Sequence, residues 1–266
     1  MPDSTLERTP IPPAAAAWTE RELADPHQHA EKASKVRRMF AAIAGSYDLN
    51  NRVHSLWRDQ AWRRFAVRQA AVKPGDVAVD VACGTGDLSE AFARSAAVRV
   101  IGIDFTPQML QVAERKRRRL DAAVAAKIEY REGDAQALAL ADASADVVSI
   151  AFGIRNVAEP GRAIREFARI LKPGGRLVIL EFDRPRFAPA RWLNDLYCGW
   201  LMPRTATLLS GDTSGAYRYL PKSVGTFMPR AELIGLLERC GFQAVRVKSL
   251  TLGICACYRA ERASRV

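Results

Sequence analysis

The sequence predicts an α/β protein with a doubly wound, mostly parallel seven-stranded sheet and helices on both faces. Three observations carry this. Short apolar runs alternate with helical stretches between about residues 77 and 259, and that alternation requires crossover connections and a parallel sheet. The first run, Val77 to Val81, leads into a turn with glycine at two alternate positions, Gly84 and Gly86. The second, Val98 to Ile103, ends on Asp104, about 20 residues past the glycines, where such folds hold a nucleoside.

The elements follow in order. Residues 1–30 carry Pro2, Pro10, Pro12 and Pro13, an alanine run and no period, so a disordered tail is expected before a single domain over 31–266. An N-terminal helical cap begins near Glu31, with Val36, Met39, Phe40 and Ile43 on one face; after Ser46-Tyr47-Asp48 a second helix is expected to run through Trp57, Trp62 and Phe65. Strands are expected near 77–81, 98–103, 127–131, 146–151, 176–181, 242–249 and 252–259, and helices near 87–95, 107–121, 160–171 and 230–240. Thr106-Pro107 reads as an N-cap with proline at the first helical position. Lys172-Pro173-Gly174-Gly175 reads as a helix stop and turn. Between 187 and 219 the pattern changes to a helical insertion rich in apolar residues, Trp192 to Met202, which suits either extra core or a lid over a lipophilic substrate.

The glycine turn has Ser89 where a dinucleotide fingerprint has a third glycine, and no lysine for phosphate. A turn flanked by acids and lacking a phosphate-directed cation suits a cationic nucleoside, for which S-adenosyl-L-methionine, a sulfonium, is the candidate. On this reading Asp80, Gly84, Thr85 and Gly86 frame the donor, Asp104 accepts the ribose hydroxyls, and Asp134-Ala135 and Ala151, after the third and fourth strands, complete the site.

The 266 residues carry a net charge of +11, which permits nucleic acid, an anionic membrane surface or acidic proteins as partners. The run Arg115 to Arg119 reads as a solvated helix end. Five scattered cysteines fit a reducing compartment, and Cys255 and Cys257 read as core rather than zinc ligands. Neither a spanning run nor a signal core is evident, so a cytoplasmic protein is expected.

Three segments carry a family resemblance: Phe40-Ala41-Ala42-Ile43-Ala44-Gly45-Ser46-Tyr47-Asp48 continuing to Ser55 and Trp62, Phe152-Gly153-Ile154-Arg155-Asn156-Val157, and Arg169 through Gly175 to Glu181-Phe182. The chain, from about Lys35 to Arg259, resembles the ubiquinone/menaquinone biosynthesis C-methyltransferases, within the class I S-adenosylmethionine-dependent methyltransferases. The resemblance implies a Rossmann-like methyltransferase fold and methylation of a ring carbon of a polyprenylated quinol, with Cys83 pointing to the menaquinone branch. It implies Arg155, Asn156, Tyr47 and Asp48 as the catalytic set, no nucleic-acid partner and no metal. The chain departs from the family pattern at Asn50, His54, Asp59, Ala151 and Asp183; the family usually has His at the position of Asp59. Two other readings stay open: a methyltransferase acting on nucleic acid, and a scaffold that binds S-adenosylmethionine without turnover. An insoluble quinol also implies transient docking on the inner face of an anionic membrane; a homodimer is left open.

Overall fold

The computed structural model describes Trp18, Thr19 and residues 21–202, 204–205 and 215–264. Three helices lead: α1 (Lys32–Ile43), α2 (Tyr47–Ser55) and α3 (Arg58–Ala70). Then come β1 (Val77–Val81), α4 (Asp87–Ala93), β2 (Arg99–Asp104), α5 (Pro107–Arg117), the short α6 (Ala122–Ala125), β3 (Ile128–Glu132), β4 (Ala145–Ala151), α7 (Pro160–Ile170) and β5 (Leu171–Phe182). The insertion holds α8 (Ala188–Leu196), a π-turn (Tyr197–Leu201) and α9 (Ala216–Thr226). α10 (Arg230–Arg239), β6 (Phe242–Leu250) and β7 (Cys255–Arg262) close the chain.

The seven strands lie in the order β3-β2-β1-β4-β5-β7-β6, with β7 alone antiparallel to its neighbours. The switch point falls between β1 and β4, whose outer neighbours lie on opposite sides, so the crevice opens at their carboxyl ends. Strand alternation divides the core. Val79, Val81, Ile101, Ile103, Val148 and Ile150 face α7 and α10, whereas Ala78, Val100, Val147 and Val178 face α3 and α4. Cys255 and Cys257 pack on the second of these faces. A third cluster joins α1 to α5 and α9 through Val36, Met39, Met109 and Tyr219.

Four local expectations change. Residues 1–17 and Glu20 of the expected tail lie outside the described residues, but Trp18 and Leu23 are buried, and the Trp18 ring stacks on Tyr219 at 4.9 Å. The packed chain therefore reaches back before residue 31. The helix expected through Trp57 breaks into α2 and α3, because Leu56 (φ 50°) and Trp57 (φ 59°) are left-handed. Lys172 to Gly175 lie within β5 as an irregularity in its pairing with β4: Ala145 pairs with Leu171 and Val147 with Arg176. The last strand starts at Cys255 because Thr251–Gly253 form a 3-10 turn first.

Candidate active site

β1 delivers the chain into the crevice, where Ala82, Gly84 and Gly86 all take positive φ. A side chain at Gly86 would collide with the Tyr130 hydroxyl, so glycine is required there for packing. At Gly84 nothing stands within 4 Å of a Cβ; the backbone is open to the cavity it borders. Asp104 ends β2 beside this loop. Its Oδ2 accepts the Gly84 N–H at 2.8 Å and its Oδ1 the Thr106 N–H at 2.9 Å. Burial pushes its carboxyl up, and these amide bonds oppose that. The Thr106 hydroxyl makes no cap bond to α5.

A small cavity opens here, bordered by Gly84, Asp104, Phe105, Thr106, Asp134, Ala135, Ala151, Phe152 and Asn156. Gly84, Asp104, Asp134, Ala135 and Ala151, read from the sequence as donor-binding, all border it. The residues fit S-adenosylmethionine: a bare glycine backbone, and a carboxylate whose remaining lone pairs suit a diol. Asp134 Oδ1 also accepts the Gln136 N–H at 2.9 Å, closing its own turn. Phe105 and Thr106, which border the cavity, are not among the donor-binding residues the sequence suggests, although both directly follow Asp104.

Asp80, Thr85 and Gly86 do not border this cavity. Asp80 is buried behind the loop and accepts the hydroxyls of Ser89 (2.7 Å) and Ser149 (2.9 Å). Burial raises its carboxyl to about 6 from 3.8. The contribution of this raised carboxyl to stability is fully present below about pH 4 and is lost as pH rises towards 6. Asp80→Asn should therefore stabilise the protein at pH 7, by up to roughly 2–3 kcal/mol, and flatten that slope. Urea titrations of both proteins at pH 4 and 7 check this; a destabilised variant at pH 7 would show that the ionised form is the one the fold holds.

A second, much larger chamber of about 1480 Å³ lies under α1, α2, α3, the π-turn and α9. Phe40, Tyr47 and Phe152 border both spaces, so the two meet at these aromatic rings. Burial pushes the Tyr47 phenol up. Arg155 sits in a 3-10 turn after β4 and borders the chamber. Its Nη1 donates to Glu181 Oε1 at 2.6 Å and to the Phe152 carbonyl at 2.7 Å, and its Nε to Ser223 Oγ at 3.3 Å. Asn156 borders the smaller cavity, donates to the Phe152 carbonyl at 3.2 Å and accepts the Tyr219 hydroxyl at 3.0 Å. Three of the four residues read as catalytic thus reach the cavities.

Asp48 does not border either space. It accepts the Thr85 hydroxyl and, at 2.7 Å, Lys116 Nζ, within a network that also holds Asp87 and Arg52. That network ties α2 to the glycine loop, and it pairs Lys116, one of the run read as a solvated helix end. His54 borders the chamber, where burial lowers its pKa, and its Nε2 lies 3.2 Å from Thr205 Oγ1. The insertion is not wholly core. Tyr197, Cys198 and Met202 face the chamber while Trp192, Leu193, Leu196 and Trp200 are exposed.

The strand order with a single reversed strand, the bare glycine loop and the acid closing β2 define the class I methyltransferase architecture. A SAM-dependent methyltransferase of Thermotoga maritima shares that fold, with a TM-score of 0.58 at 19% identity over 85% of this chain and 99% of its own. Residues 28–262 match the model of the ubiE/COQ5 methyltransferase family, and the chain belongs to that family. It is 42% identical to the demethylmenaquinone methyltransferase of Deinococcus radiodurans over 225 residues, 84% of this chain and 91% of that one. It is 38% identical to the ubiquinone/menaquinone biosynthesis C-methyltransferase UbiE of Geotalea daltonii, over 87% of this chain and 98% of that one.

Proposed function

We propose that this protein transfers a methyl group from S-adenosylmethionine to a ring carbon of a polyprenylated quinol, taking demethylmenaquinol to menaquinol. The observation that carries the reading is the large chamber meeting the donor cavity at Phe40, Tyr47 and Phe152, a shape suited to a greasy ring delivered to a nucleoside. The names of the relatives support the quinol class, and the 42% identical one supports the menaquinone branch.

The donor supplies an electrophilic methyl on a sulfonium. Asp104 would take the ribose hydroxyls and Asp134 the adenine amino group, with the open Gly84 backbone left for the methionine moiety. Loss of the phenolic proton enriches the ortho carbon of the quinol, which must then meet the methyl in line. The aromatic junction aligns the ring and excludes water. The Arg155 guanidinium, held by Glu181, adds positive potential where phenolate charge develops.

Labelled S-adenosylmethionine offered with reduced demethylmenaquinone and with demethoxy-type benzoquinol analogues tests the reading. Label on the naphthoquinol is expected. Label on neither quinol, or on RNA instead, would overturn it.

The same reading places the protein on the inner face of a membrane. None of the helices among the described residues is long and apolar enough to span one. The support is a set of exposed apolar side chains on or beside segments that line the chamber: Leu56 is 81% exposed and Leu252 76%, with Trp57, Phe187, Trp192 and Trp200 also outward. Exposed Arg58, Arg184, Arg186, Arg191 and Arg204 lie among them in the chain. Apolar tips among cations suit interfacial docking on anionic lipid. Binding should be stronger to anionic than to zwitterionic vesicles and should weaken with salt. Trp192→Ser with Trp200→Ser should weaken vesicle binding and cost more activity on long-tailed than on short-tailed quinols. Equal losses on both would make these tryptophans ordinary structural residues.

A further inference from the structure

The break between α2 and α3 has a chemical consequence. It restarts the helix at Arg58 and sets Asp59, Trp62 and Arg63, at i, i+3 and i+4, along one face against the chamber. Asp59 and Arg63 are charged yet only 4% and 7% exposed. Arg63 Nη1 lies 3.2 Å from Asp59 Oδ2, while Ser55 Oγ donates to Oδ1 and Gln60 Nε2 to Oδ2, both at 2.9 Å. The Arg63 guanidinium lies 5.3 Å from the centre of the Phe152 ring, one of the three rings shared with the donor cavity. Arg155 stands in the same relation to Phe182, whose ring is 4.6 Å from Phe152. The donor end of the chamber is therefore flanked by two guanidiniums, and their hydrogen bonding differs. Arg155 is fastened through its Nη1 and Nε groups to Glu181, Phe152 and Ser223. Arg63 bonds through Nη1 alone, to the Asp59 carbonyl and carboxylate, so its Nη2 and Nε have no protein acceptor among the described residues.

We propose that Arg63 and Asp59 are a catalytic pair, with Arg63 binding the quinolate oxygen and Asp59 removing the ring proton. The assignment rests on the reading of the chamber as the quinol site. The phenolic proton leaves to water, favoured by the Arg63 charge. The oxygen's electron pair drives the ring carbon to bond the methyl carbon, and the S–CH₃ pair stays on sulfur. The ring carbon now carries both methyl and hydrogen beside a ketone. An Asp59 oxygen takes that hydrogen as a proton, and the C–H pair restores the aromatic ring. Asp59 then returns the proton to water, and the ring oxygen takes one proton back from water, so one proton is released per methyl transferred and the product is the quinol. Asp59 can serve as the base because the proton it removes is made acidic by the aromaticity regained.

The test uses demethylmenaquinol deuterated at the reacting ring carbon. Asp59→Asn should lower kcat by ~100-fold. It should also raise the deuterium isotope effect on kcat above that of the wild type, because proton removal becomes limiting, and leave cofactor Kd within about twofold. Asp59→Glu should recover part of the rate with an intermediate isotope effect. Arg63→Gln should shift the rising limb of the kcat–pH profile to higher pH, as expected if Arg63 eases phenol ionisation. Wild-type turnover in Asp59→Asn, or a slow variant whose isotope effect matches the wild type, would overturn the assignment. Should Asp59→Asn not fold, Asp59→Glu decides by the same isotope criterion. A wild type that methylates no quinol overturns the chamber reading and this pair with it; a wild type active beside isotope-silent variants overturns the pair alone.

Discussion

Arg155→Leu is expected to cost about 3–5 kcal/mol of stability, beyond any effect on turnover. The side chains of Arg155 and Glu181 are 4% and 2% exposed and meet at 2.6 Å. Glu181 also accepts the backbone N–H groups of Arg155 (3.3 Å) and Phe182 (2.9 Å), so its carboxylate organises the ends of both β4 and β5. Leucine in place of the guanidinium strands that carboxylate in the interior, and a buried charge left alone costs far more than the intact pair is worth. At this chain length the melting temperature should fall by roughly 10 °C. Arg155→Leu combined with Glu181→Leu should regain most of the loss, since it removes the stranded charge along with its partner. In the protein that remains folded, kcat should fall more than cofactor Kd rises, as a transition-state role requires. Thermal melts of the single and double variants, with turnover measured well below both transitions, separate the two effects. A single variant that melts with the wild type would make Arg155 purely a chemical residue.

The strands and helices around the sheet were legible because they depend on short-range period and on glycine. The small cavity beside the glycine loop was legible for the same reason: Gly84 and Asp104, which border it, are fixed by one turn and one strand end. What escaped lacks such signals. Leu56-Trp57 carries neither glycine nor proline, so nothing in the sequence announces two bulky left-handed residues, and the inward turn of Asp59 and Arg63 that follows was hidden with them. Trp18 falls inside the stretch expected to be disordered, because Tyr219, the ring it stacks on, lies about 200 residues further along the chain. The Arg155–Glu181 pair had a usable signal. Parallel pairing sets Ala151 beside Leu180, so residues just past these positions are neighbours, and an Arg and a Glu there are placed to pair. The insertion's helical period gave an apolar helix but not its exposure, since a core helix and a lid draw on the same residues.

Asp104→Ala should weaken cofactor binding by about 3 kcal/mol, roughly 100-fold in Kd. Two losses add. The carboxylate no longer accepts from the ribose diol, where a hydrogen bond to a charged acceptor is worth about 1.5–3 kcal/mol. The Gly84 and Thr106 N–H groups lose their acceptor as well, so the loop that faces the donor is released at its most open residue. Asp104→Asn separates these parts. Its side-chain oxygen keeps one amide partner, but its NH₂ replaces an acceptor with a donor, so it should fall between alanine and the wild type. Asp134→Ala should cost less, because part of that carboxylate's bonding is spent on Gln136 in its own turn. Calorimetric titration of S-adenosylmethionine into the three variants gives the order directly. Wild-type affinity in Asp104→Ala would mean that the ribose does not lie at the end of β2, and the orientation of the donor in the crevice would have to be reversed.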